Sequence, residues 1–268
     1  MTPIFKTAQS GLTGHDVLRS ISFLGLEINN SPLPRVLDHI AYLSNSSLHS
    51  FVVTPNVDHV VLLDSADNNA QIDPFRVAYS SAVVRLCDSR IIAGLARLKG
   101  IVLPVIPGSD LTALLMTHQF GAGTKVAIIG GTTTTVDKIR KMFPEPVFVQ
   151  HIPPMGILDK PNAIATICDF LAAEQPQYTL LAMGAPRSEI IADICARDGR
   201  FGGVSLCIGA SIEFLTGEKR RAPKWVQQAS LEWAYRLLSE PTRLWHRYLV
   251  EGPRIFLIFL KGGVDLRS

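Results

Sequence analysis

The chain has 268 residues, 47% of them hydrophobic and 18% charged, with a formal net charge of +3. That composition excludes a disordered chain and fills a large core, and the length fits one large α/β domain. Mean hydropathy is +0.23, yet no stretch approaches the roughly 20 apolar residues that a spanning helix needs.

In chain order, short apolar runs alternate with helical stretches. Phe51-Val52-Val53 reads as a strand ending at Thr54-Pro55-Asn56, where Asn56 caps a helix running through Leu63. Val83 to Leu86 is a second strand, closing at Cys87-Asp88. Val126 to Ile129 is the clearest strand, followed by Gly130-Gly131, four threonines and a helix through Phe143. Val147-Phe148-Val149 runs into His151, Tyr178 to Met183 ends at Gly184-Ala185-Pro186, and Val204 to Ile208 ends at Gly209. Helices are predicted at 33–44, 90–99, 110–119, 160–173 and 187–197. Such alternation predicts a Rossmann-like, mostly parallel sheet with flanking helices. Ligands of open parallel sheets sit beyond the carboxyl ends of the strands. Asn56, Asp88, Gly131, His151, Pro186 and Gly209 occupy those ends.

The charge is uneven. From Glu218 to Arg254 there are eight Lys or Arg against four acids, together with all three tryptophans, Trp225, Trp233 and Trp245. Basic groups interleaved with Trp and Tyr suit an anionic membrane interface, and an amphipathic helix docked on its own core is the plainer alternative. No helix-turn-helix, zinc or RNA-recognition signature accompanies the charge, so nucleic acid is not an expected partner. The chain thus divides into a body, 1–217, expected to hold the core alone, and a basic, aromatic-rich helical appendage, 218–268. The longest late apolar run, Ile255 to Leu260, is too short to span, and the first twenty residues, with His15, Asp16 and Arg19, do not read as a signal peptide. Four scattered cysteines, Cys87, Cys168, Cys195 and Cys207, read as buried reduced thiols rather than metal ligands.

Several residue types suit chemistry. An acid such as Asp88 at the end of an apolar strand is either a paired helix cap or a general base. Gly130-Gly131 before a helix is either an anion cradle or a plain tight turn. At Gly108-Ser109-Asp110, Ser109 and Asp110 suit the start of a helix as well as a ligand. His151 is an acid/base group or a backbone-bonded loop residue. No Asp-x-Asp occurs, so positive side chains would have to neutralise a departing diphosphate. Arg236, Arg243 and Arg247, spaced by 7 and 11 residues, share one face of a continuous helix, an argument that Pro241 interrupts.

In this order these landmarks resemble the bacterial WecG/TagA/CpsF glycosyltransferases, glycosyltransferase family 26. The matching pieces are Thr54-Pro55-Asn56, Asp88, Gly108-Ser109-Asp110-Leu111, Ile128-Ile129-Gly130-Gly131 and Met183-Gly184-Ala185-Pro186. The end is most specific: Phe214-Leu215-Thr216-Gly217, Arg221-Ala222-Pro223-Lys224-Trp225, Leu231-Glu232-Trp233, Tyr235-Arg236-Leu237-Leu238 and Glu240-Pro241. The resemblance implies inverting transfer of one sugar from a UDP-sugar to a polyprenyl-diphosphate-linked saccharide in cell-surface polysaccharide biosynthesis, without a metal or other cofactor. It implies a peripheral protein on the inner face of the bacterial cytoplasmic membrane, whose appendage reaches an anionic surface and helps complete the site. Homo-oligomer formation is left open. Asp88 maps to the catalytic aspartate, Thr54 and Asn56 to the acceptor pocket, and Arg236 and Arg243, with Arg247 a looser match, to the diphosphate. Ser109, Asp110, Gly130, Gly131, His151, Gly184, Ala185, Pro186 and Glu189 complete the candidate substrate contacts.

The chain departs from the family at Asp88-Ser89 in place of Asp-Gly, and at Arg187-Ser188-Glu189 in place of Lys-Gln-Glu. It also has Gly209-Ala210-Ser211-Ile212-Glu213-Phe214 in place of Gly-Gly-Ser-Phe-Asp-Phe. The rival readings are a Rossmann oxidoreductase using NAD, disfavoured by the missing G-x-G-x-x-G, and a non-catalytic peripheral membrane binding protein.

Overall fold

The computed structural model describes residues 18–65 and 71–264. The amino-terminal stretch weighed as a signal peptide lies, up to residue 17, outside the described residues, as do the last four of the appendage.

A hairpin of β1 (Ser20–Phe23) and β2 (Leu26–Asn29) comes first and leads into α1 (Leu33–Ser44). β3 (Ser50–Val53), α2 (Val57–Leu63), α3 (Ile72–Ser81) and β4 (Val84–Arg85) follow, then α4 (Arg90–Leu98) and α5 (Gly108–His118). The second half runs β5 (Lys125–Gly130), α6 (Thr133–Met142), β6 (Val147–His151), α7 (Pro161–Glu174), β7 (Tyr178–Ala182), α8 (Arg187–Asp198), β8 (Val204–Cys207) and α9 (Ser211–Leu215). The appendage is α10 (Lys224–Gln228), α11 (Glu232–Ser239), α12 (Pro241–Trp245), a π-helical stretch (His246–Glu251) and α13 (Arg254–Lys261).

Six strands form one all-parallel sheet in the order β4-β3-β8-β7-β5-β6. Their side chains alternate between two buried layers, as a sheet covered on both faces requires. Phe51, Val53, Ile129 and Leu181 face α2, α3, α4, α7 and α8, whereas Val52, Val126, Ile128 and Leu206 face α1, α5 and α6. The predicted strands and helices are all present. The hairpin, α3 and α9 are additions, and β4 has two residues where four were predicted.

One feature departs from a body and a separate tail. Ile255 and Ile258 of α13, with Val264, are buried in the same core cluster as Phe23, Leu24 and Val60. The Val264 amide donates to the Leu24 carbonyl at 3.1 Å. The hairpin turn makes room: Gly25 has φ +76, and a Cβ there would lie 1.9 Å from the Val264 carbonyl oxygen. The appendage therefore leaves the body after α9 and returns to it.

Among the described residues, no helix is long and apolar enough to cross a membrane. The four cysteines are free and buried.

Candidate active site

Asp88 is placed by the ladder beyond β4. The Leu86 amide donates to the Val53 carbonyl at 2.9 Å, and the Asp88 amide to the Pro55 carbonyl at 3.0 Å. These bonds set Asp88 beside Thr54-Pro55-Asn56. Asn56 caps α2 as expected, accepting from the His59 amide at 3.2 Å. Asp88 does not cap α4; Ser89 does, accepting from the Ile92 amide at 3.3 Å. Ser89 has φ −130, extended backbone that any residue adopts, so the departure from Asp-Gly carries no strain.

Asp88 faces a cavity of about 380 Å³ between the body and the appendage. The body contributes Asn56, Asp58, Asp88 and Pro107; the appendage contributes Glu232, Trp233, Arg236, Arg247, Tyr248 and Phe256. Burial pushes the Asp88 carboxyl up to about 7, against the opposing pull of Arg236, the Gly108 amide and Arg221, with Glu232 adding to the rise. A carboxyl titrating there is matched to proton abstraction near neutral pH.

The appendage arginines divide. Arg236 lines the cavity, donates to Glu232 at 2.6 Å and lies 5.3 Å from the Phe214 ring centroid. Arg247 lines it too, paired with Asp58, its Nε buried without a hydrogen-bond partner among the described residues. Arg243 is exposed outside the cavity lining and paired with Glu240. The shared helical face does not form, because α11 ends at Ser239 and Pro241 opens a new helix.

The remaining candidates lie along the carboxyl edge of the sheet. Thr54 is buried against the start of α5, where a Cβ on Gly108 would stand 3.4 Å from its hydroxyl and 3.7 Å from that of Ser211. Ser109 and Asp110 fall within the first turn of α5; Pro107 is its cap, so Ser109 does not cap it. Arg221 grips both oxygens of Asp110, which ties α5 to the root of the appendage. Gly130 has φ +96, and a Cβ would lie 2.9 Å from the Ala182 carbonyl. Gly131 has φ +67, and Thr132 caps α6 by accepting from the Thr135 amide at 3.1 Å. His151 ends β6 with its ring 5.5 Å from that of Phe170, and burial lowers its pKa. It stands at the far edge of the sheet from β4.

Gly184-Ala185-Pro186 joins β7 to α8, with Ala185-Pro186 cis. In the departure that follows, Ser188 donates to the Leu181 carbonyl at 3.2 Å and so fixes the turn. Glu189 is buried, one carboxylate oxygen making no hydrogen bond among the described residues, and burial pushes it up to about 7. Among the described residues, no three His, Cys, Asp or Glu gather as a metal site would require.

The sequence reading missed Glu232, Trp233 and Tyr248 as cavity residues. The signal was there in part: Glu232 and Arg236 stand four apart, the spacing of a helical ion pair. Tyr248 reaches Trp233, ring centroids 6.3 Å apart, only through the fold of the appendage.

A parallel sheet whose carboxyl edge holds Asp88, in one cavity with Arg236 and Arg247, defines an α/β protein with a charged cavity at that edge. The profile of the Glycosyl transferase WecG/TagA/CpsF family matches residues 21–268, nearly the whole chain. The chain belongs to this family of glycosyltransferases.

Proposed function

We propose that this glycosyltransferase moves a sugar, with inversion, from a UDP-sugar to an acceptor carried on polyprenyl diphosphate. The observation that carries the reading is Asp88 facing Arg236 across one cavity, its carboxyl held near 7. In the reaction the Asp88 carboxylate takes the proton of the acceptor hydroxyl. The oxygen attacks the anomeric carbon on the face opposite UDP, the bond from that carbon to the diphosphate oxygen breaks, and UDP leaves. Arg236 and Arg247 supply positive charge where negative charge grows, the role a divalent cation plays elsewhere. Thr54 and Asn56 flank the acceptor, and the Gly130-Gly131 and Gly184-Ala185-Pro186 turns flank the donor.

The appendage supports a membrane-bound acceptor. Phe256 both lines the cavity and stands 53% exposed, next to Leu257 at 59% and in the same helix as Leu260 at 79%. An apolar face that opens onto the cavity suits a lipid-linked substrate drawn from the cytoplasmic leaflet.

The test is a panel of UDP-sugars assayed for UDP release with a soluble lipid-diphosphate acceptor, with and without EDTA, the product's anomeric configuration read by NMR. Inverted product in EDTA is expected. Absence of UDP release with every donor, retained configuration, or an EDTA loss restored by magnesium would refute the corresponding part.

A further inference from the structure

A cavity that receives diphosphate gains nothing directly from a carboxylate in its wall, yet Glu232 lines it. Its place follows from α11, where Glu232 is the first residue and Arg236 stands one turn on. The Arg236 Nη2 donates to Glu232 Oε1 at 2.6 Å. The guanidinium also lies over the ring of Phe214, 5.3 Å from its centroid, and Phe214 belongs to α9 of the body. A free arginine side chain samples many rotamers, and fixing it costs entropy at the moment of binding. Held by a carboxylate and by an aromatic face, Arg236 meets the cavity already ordered.

We infer that Glu232, with Phe214, is a positioning residue for the proposed transfer: it fixes the Arg236 guanidinium in the cavity that Asp88 lines. The inference rests on the reading of the cavity as the place where a diphosphate meets Asp88.

The charges around Asp88 give the sign. Arg236 and Glu232 face it from α11, Arg221 from the segment before α10, the Gly108 amide from α5, and Tyr79 from α3. The two arginines and the amide favour the carboxylate; Glu232 and burial favour the acid. Glu232→Gln removes a negative neighbour, which alone would lower the Asp88 titration. It also frees Arg236, the larger influence, which raises it, so positioning predicts that Asp88 titrates no lower in the variant.

Two measurements on the full chain test this, neither depending on turnover. The Asp88 carboxyl is titrated by ¹³C NMR in wild type and E232Q, and the variant should titrate no lower than wild type. Inorganic diphosphate binding is measured by calorimetry for wild type, E232Q, Glu232→Asp and Phe214→Leu. A carboxylate that only repelled anions would, on removal, leave binding equal or tighter. Positioning predicts instead that E232Q and F214L bind about 5- to 10-fold more weakly, with Glu232→Asp between them and wild type. Equal or tighter binding by E232Q, an Asp88 titration that falls in the variant, or a wild type that binds no diphosphate overturns the inference. Both effects in the variants, together with a wild type that releases UDP from no donor, overturn the transfer reading and leave the role of Glu232 standing.

Discussion

Arg221 binds Asp110 through both guanidinium nitrogens, the second contact at 3.2 Å, across 111 residues of sequence. This pair fixes the root of the appendage to the first turn of α5, whose Gly108 amide favours the charged form of Asp88. Half-exposed ion pairs contribute only about 0.2–1 kcal/mol, so Arg221→Ala should lower the melting temperature by a few degrees at most. Its effect on the cavity should be larger. We expect acceptor KM to rise several-fold and the 218–231 segment to be cut faster by trypsin, measured by steady-state kinetics and timed proteolysis.

Asp88→Asn should cost about 10²–10⁴ in kcat while UDP binding, read by calorimetry, persists. In wild type, activity requires the carboxylate. With the folded pKa raised to about 7, kcat/KM should climb through pH 6 to 8 and level off above. The stability sign is opposite. A carboxyl whose folded pKa exceeds its unfolded value stabilises fully only below the unfolded value, and that contribution is lost as pH rises toward 7. Asp88→Asn should therefore melt higher than wild type at pH 8 and show little difference at pH 4.

The cavity separates two arginines that the spacing argument grouped. Arg236→Ala should depress kcat about 10²-fold with a water-soluble acceptor. Arg243→Ala, whose partner is Glu240 outside the cavity lining, should change the same rate less than about threefold, as surface pairs do. Equal losses in the two variants would return Arg243 to the reaction.

Truncation after Gly217 removes Ile255, Ile258 and Val264 from the core. Burying an aliphatic side chain stabilises by about 1.5–3 kcal/mol, so the loss is several kcal/mol against a usual total of about 5–15. We expect the truncated chain to lose cooperative unfolding by near-UV circular dichroism, whereas a cut after residue 264 leaves it intact. That outcome would make the body expected from composition to stand alone dependent on residues placed in the tail.

Legibility followed sequence distance. The strands β3, β5, β7 and β8 are apolar runs that end in Pro, Gly or Asn, and such local signals sufficed to place the sheet and its carboxyl edge. Asp88 and Asn56 were found because each closes a run. The β1–β2 hairpin was missed because its pairing is only four residues long on each side. Pro74, near the start of α3, disguised a helix that tolerates it in the first turn. The cavity itself was not legible. Trp233, Tyr248 and Arg247 meet Asp88's neighbourhood only because α13 packs back on α2, and no periodicity encodes that return.

That return has a geometric consequence. Anchored after α9 and again where Val264 meets Leu24, the appendage is a closed handle rather than a hinged arm. Phe256, Leu257 and Leu260 project from the outer side of a helix whose inner side, Ile255 and Ile258, is welded into the core. Whatever surface these three residues rest upon, Asp88 is held at one fixed height above it. Under the proposed transfer the molecule would then be a gauge as well as a catalyst: an acceptor would reach Asp88 only if its hydroxyl stood at that height, which would select for the length of the head and ignore the length of the lipid beneath.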